Sequence, residues 1–190
     1  MLDDAVIKNV LTAALARGGD LAELFIEDRS STALRLEDSR VEDVSSGRDV
    51  GAGIRILAGE RASYAYTNVV GEPALLDAAE AARAGLSGSR GAVADLRRVE
   101  PSVRHPVDVV PEDVGAGDKA DALRSADDAA RSAGAEVVQV VASYQDVRQR
   151  VLIASSDGRR AEDDRTRVRF SVQVVASRDG IIATGFEAPG

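Results

Sequence analysis

The sequence contains no cysteine, so disulfides and thiolate chemistry are excluded, whether as cross-link, nucleophile or metal ligand. Histidine is nearly as scarce, with His105 the only imidazole. A histidine-rich zinc site needs three or four convergent protein ligands, and this one residue cannot build it. Lysine occurs only at Lys8 and Lys119, and the other basic residues are arginine. Aromatic residues make up 3% of the chain, which leaves Val, Ile, Leu and Ala to fill a core. No run approaches the ~20 apolar residues that a membrane span requires. Asp3 and Asp4 precede the first apolar stretch, the wrong flank for a secretory signal. No membrane partner and a cytoplasmic location are therefore expected.

The 190 residues suffice for one large domain or two small ones, and an apolar content of 44% marks a globular chain. The net charge is −8 and the pI about 4.8, a balance that repels nucleic acid and anionic membrane unless a basic patch offsets it. The densest basic cluster is Arg165, Arg167 and Arg169. It lies beside Glu162, Asp163 and Asp164, which offset its field. No nucleic-acid partner is expected.

Residues 3–17 read as an amphipathic helix with Val6, Ile7, Val10, Leu11, Ala14 and Leu15 on one face, closed by Gly18 and Gly19. Strand-like segments follow at 21–27 and 31–38, with a weaker one after them. Residues 50–57 and 62–67 read as a hairpin turning at Ala58-Gly59-Glu60. Glu72 and Pro73 open a second helix. The pattern dissolves between Ser87 and Gly117, where Pro101, Pro106 and Pro111 break it. Asp118 then suits an N-cap, and a helix runs to about Ser132 with Gly134 closing it. The run at 136–144 is almost continuously apolar, which suggests a strand buried on both faces. A strand at 150–155 follows, then a turn at Asp157-Gly158. After it, Val168, Phe170, Val172 and Val174 alternate with Arg167, Arg169, Ser171 and Gln173, the first set inward. Asp179-Gly180 turns the chain again.

The fold class expected is α+β, with helices layered on antiparallel sheet. Each half reads as helix, closing glycine, apolar strand and meander, and an offset of about 118 residues aligns 54–66 with 172–184. This pattern predicts two pseudo-repeated subdomains, 1–86 and 118–190, joined by a crossing segment at 87–117.

Candidate sites are few. His105 stands between breakers in the crossing segment and reads as an exposed loop residue, because no nucleophile signature accompanies it. Acids pair at Asp3-Asp4, Glu37-Asp38, Glu42-Asp43, Asp127-Asp128 and Glu162-Asp163-Asp164. Neighbours on a strand point to opposite faces, and none of these has the spacing of a calcium loop. They read as solvated faces and caps, although distant carboxylates could still assemble a hydrolase site. Gly51 and Gly53 lie within a strand, where glycine marks a bulge or a close backbone approach rather than a dinucleotide loop. Gly115 and Gly117 do precede a helix, but Asp118 would occupy an anion site at that terminus itself. No Gly-x-Ser-x-Gly elbow occurs. No catalytic, cofactor-binding, metal-binding or substrate-binding residue is assigned.

The stretch LRLEDSRVEDVSSGRDVGAGIRILAGERASYAYTN (34–68) resembles the N-terminal signature of the TldD/PmbA family: a Leu-Glu-Asp opening, a paired-glycine strand, and a Gly-Glu turn into an aromatic strand. VLIASSDGRRAEDDRTRVRFSVQVVASRDG (151–180) is similar to the family's later segment, an apolar strand and Asp-Gly turn before an arginine-bearing alternating strand. The likeness covers essentially the whole chain and is closer to the TldD branch than to PmbA, also called TldE. It implies a zinc-dependent peptidase acting on peptides with a paralogous PmbA/TldE-like subunit or as a homodimer, in a family first described through modulation of DNA gyrase. The family's catalytic His-Glu-x-x-x-His motif lies in its C-terminal domain, and nothing here matches it. The chain is therefore expected to supply a non-catalytic N-terminal domain for substrate channelling and assembly, with zinc in the full-length protein and no cofactor here. A free-standing binding or dimerisation module is the alternative. In either case the sheet edges are the expected contribution.

Overall fold

The computed structural model describes residues 2–84, 86, 91–100 and 106–189. The elements are α1 (Asp4–Leu15), β1 (Leu21–Glu37), β2 (Arg40–Ala58), β3 (Arg61–Thr67), α2 (Glu72–Arg83), β4 (Arg97–Val99), a 3-10 turn at Pro111–Asp113, α3 (Ala116–Arg131), β5 (Val137–Ser155), β6 (Arg159–Arg178) and β7 (Ile181–Glu187). The sheet order is β3-β2-β1-β5-β6-β4, with β7 also paired to β6. The β2–β3 and β6–β7 hairpins are antiparallel, and the short β4 runs parallel to β6. The fold is α+β, as the sequence pattern indicates.

The chain forms two compact units that interleave along its length. Unit 1 takes in Met1–Arg29, Asp49–His105 and Gln149–Asp164, and unit 2 takes in Ser30–Arg48, Pro106–Arg148 and Arg165–Gly190. Strands β1, β2, β5 and β6 therefore each give residues to both. Strands β1, β2 and β5 are each continuous where the sequence pattern shows two shorter ones, and β6 extends beyond the single alternating segment read there.

In unit 1, Asp3 caps α1 by accepting a hydrogen bond from the Ala5 amide at 3.0 Å. Ile7, Val10, Leu11, Ala14 and Leu15 recur at helical spacing and are buried. Gly18 (φ 121°) and Gly19 (φ 130°) turn the chain out of α1 in a conformation open to glycine. A side chain at Gly19 would also strike Ile56. Pro73 sits in the first turn of α2, and Leu75, Ala78, Ala79 and Ala82 face inward. Both helices pack in one core with Leu24, Ile54, Ile56 and Leu152 of the sheet. Each large aliphatic there contributes roughly 1.5–3 kcal/mol, and truncating Leu11 to Ala would cost about 2–5 kcal/mol. The β2–β3 hairpin turns where expected, with Ala58 opposite Arg61 and Gly59 at φ 57°.

The core of unit 2 is smaller. Ala120 and Leu123 of α3 pack against Leu34, Leu36 and Ala142, with Val41, Tyr144, Phe170 and Val172 at the margin. Helix α3 starts earlier than its sequence suggests. Gly115 is the N-cap, and Asp118 lies inside the first turn. Its carboxylate stands 3.4 Å from where a Gly115 side chain would begin, so the acid still meets the positive end of the helix dipole. Two further readings are corrected. Val138 is 54% exposed, Val140 and Ala142 beyond it on the same face are fully buried, and Val137, Gln139 and Val141 on the opposite face are half-buried, so β5 is not buried on both faces in this stretch. Val168 is 55% exposed rather than inward, whereas Phe170 and Val172 do reach the core.

A β1–β2 turn escapes the sequence reading altogether. Asp38 (φ 46°) and Ser39 (φ 65°) are both left-handed, the signature of a type I′ hairpin turn without glycine. Tertiary contacts within unit 2 hold it. Ser39 Oγ donates to Asp127 Oδ2 at 2.5 Å, and Arg131 donates to Asp38 Oδ1 at 2.7 Å. Asp127 is 1% exposed and bonds Arg131 as well.

Candidate functional site

The residues singled out from sequence do not converge. His105 lies outside the described residues. Asp3 caps α1, and Asp4 pairs with Arg160. Glu37 binds Arg35 and Gln139, Asp127 is the buried anchor of the β1–β2 turn, and Glu162 pairs with Arg160 and Arg98. Glu42 and Asp43 are exposed on β2. Gly53 is a close-approach position, since a side chain there would collide with the Tyr64 ring. With no cysteine and one histidine, the donor set does not fit a cysteine- or histidine-rich zinc site. Among the described residues no three His, Asp or Glu side chains gather where a metal could be held.

One buried polar cluster is absent from the sequence reading. Lys119 donates to Asp146 at 2.6 Å, with side chains 4% and 3% exposed. The Lys119 ammonium also lies 5.3 Å from the Tyr144 ring centroid. Burial, and then the hydrogen bond to Asp146, push the Tyr144 phenol well above its ordinary pKa. The Lys119–Asp146 pair is satisfied internally and buried, with Tyr144 half-buried beside it, so it holds α3 on the sheet of unit 2 rather than presenting chemistry. Only its lysine, one of two in the chain, could have drawn notice in the sequence.

What the structure does present is open strand. Every residue of β7 is exposed, including Ile181 at 74%, Ile182 at 69% and Phe186 at 62%. Strand β7 pairs only with β6, and its other edge is open among the described residues. Residues 42–48 of β2 are likewise exposed at every position, and β3 pairs only with Ala52–Ala58 of that strand. In unit 1, the edge strand β3 carries Tyr64 and Tyr66, 61% and 80% exposed, with ring centroids 6.5 Å apart. Long exposed edges with apolar side chains invite pairing with another chain, and natural folds usually blunt them. No helix among the described residues is long and apolar enough to cross a membrane.

The described residues thus present helix-covered sheet with open strand edges, and the relatives of the chain show its family. Residues 22–85 match the PmbA/TldA metallopeptidase domain 1, and residues 110–190 match the PmbA/TldA metallopeptidase central domain. Together the two matches take in most of the chain. The chain belongs to the PmbA/TldD metallopeptidase family. It is 28% identical over 182 residues to a metalloprotease TldD homologue of Haemophilus influenzae, covering 94% of this chain and 38% of that protein. A metalloprotease of Methanothermobacter thermautotrophicus is 28% identical over 174 residues, covering 90% of this chain and 37% of its own length. The chain thus spans well under half the length of these relatives. The fold is shared with TldE from Thermococcus kodakarensis at a TM-score of 0.71 and 12% identity, over 96% of this chain and 42% of that one. It is also shared with a candidate modulator of a DNA gyrase from Thermotoga maritima at a TM-score of 0.76 and 15% identity, over 97% and 42%.

Proposed function

We propose that this chain is the non-catalytic, peptide-handling and assembly portion of a TldD-like zinc metallopeptidase. It works beside a paralogous PmbA/TldE-like subunit or a second copy of itself. Family membership and the names of its relatives support the peptidase reading. The unfit donor set supports placing the zinc and the hydrolytic residues elsewhere in the full-length protein. The observation that carries the role of this portion is β7, seven residues exposed at every position with one edge open. An extended peptide can add to such an edge through main-chain hydrogen bonds, and an assembling subunit can cover it.

The test measures peptide cleavage and bound zinc side by side for this chain and for the full-length Haemophilus influenzae relative. Cleavage and zinc are expected only in the full-length protein. Cleavage by this chain alone overturns the non-catalytic role. Absence of both from the full-length relative leaves the free-standing binding module as the better account. Hydrogen exchange then reports on the edge, where β7 amides should gain protection when unfolded peptide is added. Unchanged exchange in β7 removes that strand from the peptide path.

A further inference from the structure

Among the described residues α3 is the one α-helix of unit 2, so the face of its sheet turned away from α3 has no helical cover within that unit. Leu34, Ala142, Tyr144, Phe170 and Val172 belong to the core on the α3 side. Strand alternation therefore sends their neighbours Ala33, Arg35, Ser143, Gln145, Arg169 and Ser171 to the opposite face. These residues line an open depression of about 320 Å³ that Asp43 also borders. Its short side chains, Ala33, Ser143 and Ser171, leave room, and the longer Arg35, Gln145 and Arg169 stand around them. Arg35 is already bonded to Glu37 at 2.5 Å. Arg169 has no hydrogen-bond or ion-pair partner among the described residues, although Arg124, Arg131, Arg148 and Arg178 of the same unit each hold a carboxylate.

We propose that this depression binds a carboxylate of a peptide, either an acidic side chain or a free C-terminus. This deepens the peptide reading above by naming the chemistry that the surface selects. The fork of Arg169 matches a carboxylate in two parallel N–H···O bonds. The hydroxyls of Ser143 and Ser171 can donate beside it, and the Gln145 amide can meet a peptide group of the ligand. Asp43 is the one carboxylate on the lining. It opposes a second negative charge, so one carboxylate is accepted in preference to a cluster of them.

The test titrates the chain, followed by amide NMR, with two matched peptide pairs. One pair is acetyl-Ala-Glu-Ala-amide against acetyl-Ala-Gln-Ala-amide. The other is acetyl-Ala-Ala-Ala as free acid against its amide. The acid members should shift resonances of Ser143, Arg169 and Ser171 and bind roughly tenfold more tightly than their neutral partners. The pair with the larger ratio tells whether side chain or terminus is the source. Arg169→Gln, at an exposed position, should keep the spectrum of the fold and remove that tenfold preference. Asp43→Asn should tighten acid binding about twofold, and raising the salt should weaken it. Equal binding of acid and neutral members, an unchanged preference in Arg169→Gln, or no response to any peptide overturns the assignment. None of those results bears on cleavage by the full-length relative, so the peptidase reading stands or falls separately.

Discussion

Replacing Lys119 with Met should destabilise the chain far more than replacing Lys119 and Asp146 together. The two side chains are 4% and 3% exposed and 2.6 Å apart. At an effective dielectric near 20 their attraction is roughly 6 kcal/mol, and desolvating both ions takes back several kcal/mol of it. Against apolar residues of similar shape the pair therefore nets close to zero. Lys119→Met keeps the length of the side chain but leaves the Asp146 carboxylate buried with the Tyr144 hydroxyl beside it. Breaking a buried pair in this way costs about 3–5 kcal/mol. For a chain of this size that lowers the melting temperature by roughly 10 °C. The double variant Lys119→Met/Asp146→Leu removes the stranded charge and should recover most of the loss. Far-UV circular dichroism on thermal and urea unfolding of the wild type, both single variants and the double variant closes the cycle. A loss below about 1 kcal/mol in Lys119→Met would refute the argument, because it would mean that water reaches the site. A double variant no better than the single would refute it equally.

Three further outcomes follow from the same contacts. Ser39→Ala removes a hydroxyl donor from buried Asp127 and should cost about 1–3 kcal/mol, with the loss located by amide exchange at the β1–β2 turn; a change confined elsewhere would separate the turn from Asp127. Gly53→Ala places a methyl where the Tyr64 ring lies and should cost about 1–3 kcal/mol, and adding Tyr64→Ala should relieve that overlap; equal penalties with and without the ring would mean that another atom sets the limit. The raised Tyr144 pKa makes its phenol neutral in the folded chain at pH values where an unfolded tyrosine ionises. Its stabilising share is fully present below the unfolded value of about 10 and is lost as pH rises from there toward the higher folded value. The alkaline absorbance titration should thus lose a late step in Tyr144→Phe, and loss of a step near the ordinary tyrosine value of about 10 instead would show the phenol to be open to water.

Much of the local structure was legible. The 3.6-residue spacing in α1, the Glu-Pro start of α2, the turn at Gly59 and the Asp-Gly turns at 157–158 and 179–180 all rest on chemistry within a few residues of the site. Asp179 (φ 52°) and Gly180 (φ 79°) form such a turn between Arg178 and Ile181. The start of α3 was misplaced because Gly115 and Asp118 both satisfy an N-terminus, and the sequence does not rank them. The type I′ turn at Asp38-Ser39 was not legible because its stabilising partners are Asp127 and Arg131, about ninety residues away in the chain. The candidate site was less legible than the fold. Arg169 reads as one of three alternating arginines with acids nearby, and only strand placement shows it without a partner beside Ser143 and Ser171.

The sequence by itself determined the excluded chemistry and the class. Without cysteine and with one histidine, no arrangement of this chain supplies a cysteine- or histidine-rich zinc donor set, whatever its fold. Its periodicities specify helices, strands and several turns, and its motifs resemble one family. Only the tertiary structure decided which segments share a compact unit, because long strands carry the chain from one unit to the other and local pattern does not record where neighbours change. It also decided which charges are buried in pairs and which strand edges stay open. Those properties depend on what lies across the sheet, and residues facing each other on neighbouring strands, such as Asp28 and Arg150, lie 122 residues apart in sequence.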